Sequence, residues 1–194
     1  MTDKPPHRRS ADCGVATLDT RLDTRLDTTL KTGLETGLDI RLDGWFDGIT
    51  HCYPLRVHYE DTDAGGIVYH AQYLAFAERG RSAWLRCAGI DQPALLADAG
   101  AGFVVRRIEI DFLAAAGLGA TIEVRSDLLR LGGASVKLQQ SVKNIETGHI
   151  LARLFVDIGF AKLGQQAAPR ACRLPAAVTS SLAGLVTPAD KQTS

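Results

Sequence analysis

The stretch Tyr59–Arg81, YEDTDAGGIVYHAQYLAFAERGR, decides how the rest of the chain is read. It opens with two carboxylates two positions apart, Asp61 and Asp63, followed by Gly65 and Gly66 and then by the pair Tyr69–His70. Directly behind them apolar residues recur at intervals of three and four: Tyr73, Leu74, Ala77, Trp84, Leu85 and Ala88. That spacing predicts one amphipathic helix from about Ala71 to Cys87, stopped near Gly89. Gly80 in its middle costs about 1 kcal/mol against alanine, so a neighbouring element is expected to approach the helix closely there. Uncompensated acids and flexible glycines at the mouth of an apolar helix are costly for stability and useful for chemistry.

Strands flank this helix on both sides. Before it, YPLRVHYE (residues 53–60) alternates Leu55, Val57 and Tyr59 with Arg56, His58 and Glu60, the pattern of a half-buried strand. After it, RRIEIDFL (106–113) sets Ile108, Ile110 and Phe112 inward and Arg107, Glu109 and Asp111 outward. ATIEVRSDLLR (120–130) follows, with Gly132-Gly133 as a turn, then SVKLQQSVKNI (135–145), with Glu146-Thr147-Gly148 as another. HILARLFVDIGFAKL (149–163) closes the series, with Leu154, Val156, Ile158 and Phe160 on one face. Alternating runs joined by such turns are antiparallel hairpins. One strand, one helix and four more strands have one economical packing: an α+β domain in which a five-stranded antiparallel sheet wraps around a single long central helix. The domain is expected over residues 51–163. The tail, 164–194, carries Pro169, Pro175 and Pro188 and reads as a linker with a short helix starting at Pro175.

Residues 1–50 are of a different kind. Leu18, Leu22, Leu26, Leu30, Leu34, Leu38 and Leu42 repeat at a strict period of four. At 3.6 residues per turn that period drifts about 40° per repeat, so the leucines smear around a helix instead of forming a stripe. The expectation is a low-complexity extension, disordered or marginally helical. The basic N-terminus MTDKPPHRRSADCG has no apolar run behind it and does not read as a secretory signal.

The composition narrows the function classes. The 194 residues are 45% hydrophobic, with 22 basic and 22 acidic side chains and a formal net charge of zero. Nucleic-acid binding, which needs a basic surface to displace counterions, is not supported. No apolar run approaches the roughly 20 residues of a transmembrane helix. Cys13, Cys52, Cys87 and Cys172 are scattered without metal or redox spacing, which fits free thiols and a cytoplasmic location. His7, His51, His58, His70 and His149 show no ligand spacing, and nucleotide-binding glycine motifs are absent, so neither a metal nor another cofactor is expected.

The motif D-x-D-x-x-G-x-V-x-H, residues 61–70, with the aromatic-rich helix behind it, resembles the opening of the 4-hydroxybenzoyl-CoA thioesterase family of hotdog-fold proteins. More narrowly it resembles the Tol-Pal-associated, YbgC-like branch of acyl-CoA thioesterases, and the resemblance extends over about residues 53–175. The resemblance implies a thioester hydrolase in which Asp63 is the general base or the nucleophile and the backbone N–H of His70 holds the oxyanion. Physical chemistry asks for the same parts. Attack on a thioester carbonyl drives negative charge onto its oxygen, which N–H groups at a helix N-terminus stabilise, and a carboxylate can deprotonate water or attack directly. Gly65, Gly66, Ile67, Val68 and Tyr69 lead into that terminus and are expected to bind substrate, with Tyr73 as pocket wall; Phe103–Val105 are expected to shape the acyl pocket. Asp61 reads as a turn acid, and Glu78 as a solvated or structural charge.

One stretch departs from the family pattern. The turn between the third and fourth strands, which in the family often carries basic residues for the CoA phosphates, is RLGGAS (130–135); Arg130 and Lys137 flank it and are candidates to substitute, as are Arg106 and Arg107. A thioester on acyl carrier protein therefore stands beside acyl-CoA as substrate, and a protein that binds acyl thioesters or an envelope partner without hydrolysis is the rival from another class. Family resemblance also implies a homodimer or homotetramer.

Overall fold

The computed structural model describes residues 42–164 and 168–188, which fall in the unit Thr36–Ser194. The period-four leucine segment lies outside the described residues except for Leu42. Five strands carry the architecture: β2 (Thr50–Arg56), β3 (Ala101–Phe112), β4 (Thr121–Leu131), β5 (Ser135–Asn144) and β6 (Ile150–Lys162). They form an antiparallel sheet in the order β2-β4-β5-β6-β3. Two short strands extend it. β1 (Trp45–Asp47) pairs with β2, and β7 (Arg170–Ala171) takes up the edge of β6 beyond the end of β5. The sheet thus begins before residue 51, where the domain boundary was expected.

The long helix α1 (Gln72–Cys87) buries Tyr73, Phe76, Ala77, Gly80, Arg81, Ala83, Trp84 and Leu85. Its core partners come from alternate positions of the sheet: Ile122, Val124 and Leu128 on β4, Leu138 and Val142 on β5, and Leu154, Val156 and Phe160 on β6. The close approach expected at Gly80 is made by β4, since a Cβ placed there would lie 2.8 Å from Cγ1 of Val124. Beside it the core contains a polar group of three. Arg81 donates to Oε1 of Gln140 (2.7 Å), and Nε2 of Gln140 donates to Ser126 Oγ (2.9 Å) and to the Ala77 carbonyl (3.1 Å). Gln140 is thereby satisfied by both the helix and the neighbouring strand, as a buried amide must be.

Three features differ from the sequence expectations. A second helix, α2 (Gln92–Ala99), follows α1; Asp91 caps it by accepting from the Ala94 N–H (3.0 Å), and Gly100 ends it at φ +53°. β3 starts at Ala101 and carries a register shift between Val105 and Arg107, and its last residue, Phe112, expected inward, is half exposed. The strand expected over residues 53–60 stops at Arg56, and Tyr59, expected on its apolar face, is exposed in a 3-10 turn. The tail carries the short helix expected at Pro175: α3 (Ala176–Ala183) buries Val178 and Leu182, and beyond it Thr187 N–H donates to the Leu128 carbonyl (2.8 Å). Among the described residues no helix is long and apolar enough to cross a membrane.

Candidate active site

Between the end of β2 and the start of α1 the chain forms a strap, residues 57–70, stitched along its length to the loop after β3. Val57 N–H donates to the Ala120 carbonyl (2.9 Å), and Gly119 N–H returns a bond to the Val57 carbonyl (3.0 Å). Further on, Val68 N–H donates to the Ala116 carbonyl (2.9 Å), and Ile67 bridges to Gly117. Within the strap, Tyr59–Asp61 make a single 3-10 turn. The two acids of the motif then part company.

Asp61 turns inward. It is 1% exposed, its Oδ2 accepts the His58 N–H (2.8 Å), and its main-chain carbonyl accepts the Tyr69 N–H (2.9 Å). Its Oδ1 is buried without a hydrogen-bond partner among the described residues. Asp63 turns outward and is exposed. Its Oδ1 accepts the Gly65 N–H (2.8 Å), its carbonyl accepts the Gly66 N–H (2.9 Å), and its own N–H donates to the Ile67 carbonyl (3.0 Å). Gly66 is required by this loop, and Gly65 leaves room for the carboxylate. Gly66 has φ +74°, in the left-handed region, and a Cβ on Gly65 would meet Asp63 Oδ1 at 3.0 Å. The loop therefore presents a carboxylate in one orientation, with one oxygen held by the main chain.

Asp63, Gly65, Gly66 and Ile67 share this exposed loop, and Tyr69 and His70 stand exposed at the helix start. Val68 and Tyr73 are only 4% and 3% exposed and support the strap from beneath. Burial pushes the Tyr73 phenol above its usual range, against the smaller opposing effect of the Ala116 main-chain N–H. At the helix start Gln72 N–H donates to the Tyr69 carbonyl (2.8 Å) and Leu74 N–H to the Ala71 carbonyl (3.1 Å), whereas the His70 N–H has no acceptor among the described residues. A free donor at the positive end of a 16-residue helix is a ready site for a developing anion. The His70 ring stacks at a tilt on Tyr69 (4.4 Å between centroids) and meets Phe112 edge to face (6.2 Å). Phe112 also touches Tyr73 (5.7 Å), so the strand end misread as core forms an aromatic wall beside the site.

Of the cavities elsewhere among the described residues, two bear on the substrate. One, of about 410 Å³, is lined by Arg106, Arg107, Arg130, Ser135 and Asp157 with two apolar residues. Both strands that supply its arginines are bulged: the register shifts between Val105 and Arg107 on β3 and between Leu128 and Arg130 on β4. Such irregularities re-aim side chains. The methylenes of Arg106 lie across Gly159, where a Cβ would meet its Cδ at 3.2 Å. Arg107 pairs with Glu109; Arg106 and Arg130 pair with no carboxylate among the described residues. The second cavity is a slot of about 40 Å³ in which Phe103 and Val105 face Trp84 and Leu138, with the ion-paired Glu78 and Arg81 among its walls.

Comparison with known proteins agrees with this architecture. Residues 57–182 match the family model of the Thioesterase-like superfamily. An acyl-CoA thioester hydrolase, YbgC, of Escherichia coli O6:H1 is 44% identical over 94 residues, which span 48% of this chain and 69% of that protein. The acyl-CoA thioesterase YbgC of Haemophilus influenzae is 37% identical over 113 residues, covering 58% and 82% of the two chains. Among solved structures, a probable thioesterase from Bartonella henselae superposes with a TM-score of 0.58 at 35% identity, over 65% of this chain and 99% of that one. The sheet wrapped around α1, the strap before it and these likenesses agree: the chain belongs to the thioesterase-like superfamily of hotdog-fold proteins and, within it, to the YbgC family of acyl-CoA thioesterases.

Proposed function

We propose that this protein hydrolyses an acyl-CoA thioester to the free acid and CoA, with Asp63 and the His70 N–H as its reacting groups. The observation that carries the reading is the exposed Asp63 carboxylate, oriented by the Gly65 N–H on a strap that ends at the unpaired His70 N–H. The thioester carbonyl oxygen takes its place at the His70 N–H. Asp63 removes a proton from water as the water oxygen bonds to the carbonyl carbon, or its own oxygen bonds there to give a mixed anhydride that water then opens. The carbon–sulfur bond breaks, and the thiolate leaves as the CoA thiol after taking up a proton. An oriented general base contributes about 10²–10⁴-fold, and an oxyanion donor about 10²–10³-fold.

The arginine-lined cavity supports CoA as the thiol carrier. Arg106 and Arg130 supply the positive charge that the glycine turn at Gly132-Gly133 lacks, in a form suited to bidentate phosphate recognition. The slot beside Phe103 and Val105 is the place for the distal part of the acyl group. β3 leaves one edge unpaired among the described residues, with Val105 and Phe112 exposed and Leu113 following it, and a long open edge is a template for a second chain. A homodimer joined along β3, working in the cytoplasm, follows from this reading. Light scattering coupled to size exclusion is expected to give twice the chain mass or a multiple of it; a monomer across the micromolar range contradicts the pairing.

Thiol release from a panel of short, long and aromatic acyl-CoAs tests the reaction, with wild type and Asp63→Asn compared side by side. Asparagine keeps the acceptor for the Gly65 N–H, so the loop stays in place while the base is lost. Turnover is expected to fall about 10³-fold. Equal turnover by the two proteins would remove Asp63 from the mechanism.

A further inference from the structure

We infer that Asp61 is a positioning residue for this reaction: its grip on both ends of the strap sets the direction of the His70 N–H. The inference rests on the thioesterase reading and deepens it. Through Oδ2 and the His58 N–H the side chain holds the entry to the strap, and through its carbonyl and the Tyr69 N–H the same residue holds the exit. Because the Tyr69 N–H is consumed by Asp61, the next donor along, that of His70, is the first left free at the helix start. Both peptide planes belong to consecutive residues, so fixing one constrains the other.

Placement of the carboxylate also argues for more than a turn acid. It is 1% exposed, and one oxygen has no partner among the described residues, an arrangement that is costly for a group able to ionise. An ordinary surface cap avoids that cost because water reaches both of its oxygens. Here the cost is accepted between the catalytic loop and the helix start, with Asp63 two residues away.

The experiment compares Asp61→Asn, Asp61→Ala and Asp63→Asn with wild type, measuring kcat and KM for one acyl-CoA and backbone amide exchange at His58 and Tyr69. Asparagine has the same shape and keeps an acceptor for the His58 N–H, so Asp61→Asn is expected to retain kcat within about threefold and to leave both amides protected. Alanine removes the side-chain bond to the His58 N–H, which frees the entry of the strap and leaves its exit on the main-chain bond between the Asp61 carbonyl and the Tyr69 N–H alone. Its kcat is expected to fall about 10–100-fold at nearly unchanged KM, because the His70 bond is strongest in the transition state and a displacement near 1 Å costs about that much. Exchange at His58 and Tyr69 is expected to speed up in the alanine variant while the strands of the core stay protected.

A folded Asp61→Ala enzyme with wild-type kcat overturns the inference, and so does one whose loss lies in KM alone. If the alanine variant does not fold, the asparagine variant decides: a folded Asp61→Asn protein with a tenfold loss of kcat would mean that charge, not grip, is what matters. Absence of turnover in wild type defeats the thioesterase reading and this inference with it. An active wild type, inactive Asp63→Asn and fully active Asp61→Ala would overturn the positioning role alone.

Discussion

Replacing Gly80 with alanine sets two effects of known size against each other. In an isolated helix the change stabilises by about 1 kcal/mol, because glycine is the poorer helix former. In this fold the new Cβ arrives 2.8 Å from Cγ1 and 3.1 Å from Cβ of Val124, closer than two carbons can stand. Val124 is fully buried and stiff at χ1, and its strand is fixed on both sides by pairing with Tyr53 and Val142. It cannot swing aside, so α1 and β4 must separate. Overpacking of this kind costs about 1–3 kcal/mol. The steric term wins, and Gly80→Ala is expected to destabilise by about 1 kcal/mol net, read from the urea midpoint at unchanged slope. Val124→Ala on its own destabilises by loss of two buried methyl groups, but in the double variant the 2.8 Å clash with Cγ1 is gone and only the 3.1 Å approach to Cβ remains. The pair should therefore be more stable than the sum of the singles by about 1–2 kcal/mol. A Gly80→Ala protein more stable than wild type, or strictly additive singles, would show that helix and strand do not meet as described.

Two further outcomes test other parts of the molecule. Arg106→Ala and Arg130→Ala are each expected to raise KM for an acyl-CoA about tenfold with kcat unchanged, and to leave hydrolysis of the matching acyl-pantetheine unaffected, since that substrate has no nucleotide phosphates; equal effects on both substrates would detach the arginines from the nucleotide. His51 is fully buried, with Nε2 held by the Asp43 carbonyl (2.8 Å) and Nδ1 unpaired among the described residues, and burial pushes its pKa down from the ordinary value. The unfolded chain takes up this proton near pH 6.5 and the folded chain only at lower pH, so in that window the unfolded state binds more protons and stability falls as pH falls. The urea midpoint is expected to drop on acidification below about pH 6.5, and His51→Gln to flatten the profile; a wild-type midpoint constant from pH 7 to 5.5 would contradict this.

The parts of the fold that were legible in the sequence are those with a clean period. The three-and-four spacing from Tyr73 to Ala88 located α1, with Gly80 marking its contact with β4, and alternation located β4, β5 and β6. α2 was missed because it buries no residue, leaving only its caps, Asp91 and Gly100, to announce it. The bulge in β3 hid its first half by breaking the alternation at Val105–Arg107. Phe112 had the right parity for the core, but period two states only which side of a strand a residue takes, not whether anything covers that side.

Much the same holds for the site. The motif nominated Asp63 and the helix start, and charge alone nominated Arg106, Arg107 and Arg130 without bringing them to one cavity. Nothing in D-x-D says which acid turns inward. That depends on the His58 and Tyr69 N–H groups, which the sequence does not display.

The strap is held mainly by main-chain hydrogen bonds: Val57 with Ala120 and Gly119, Asp63 with Ile67, Val68 with Ala116, and Tyr69 with Asp61. Side chains at Ala64 and Ile67 take no part in these bonds and face solvent. The geometry is thus indifferent to the identity of these two residues, and both positions are free to be rewritten for a different acyl group or a different partner at the mouth of the candidate site. A redesign of specificity has its room there, beside Asp61, Asp63 and Gly66, whose own side chains or backbone freedom the frame does need.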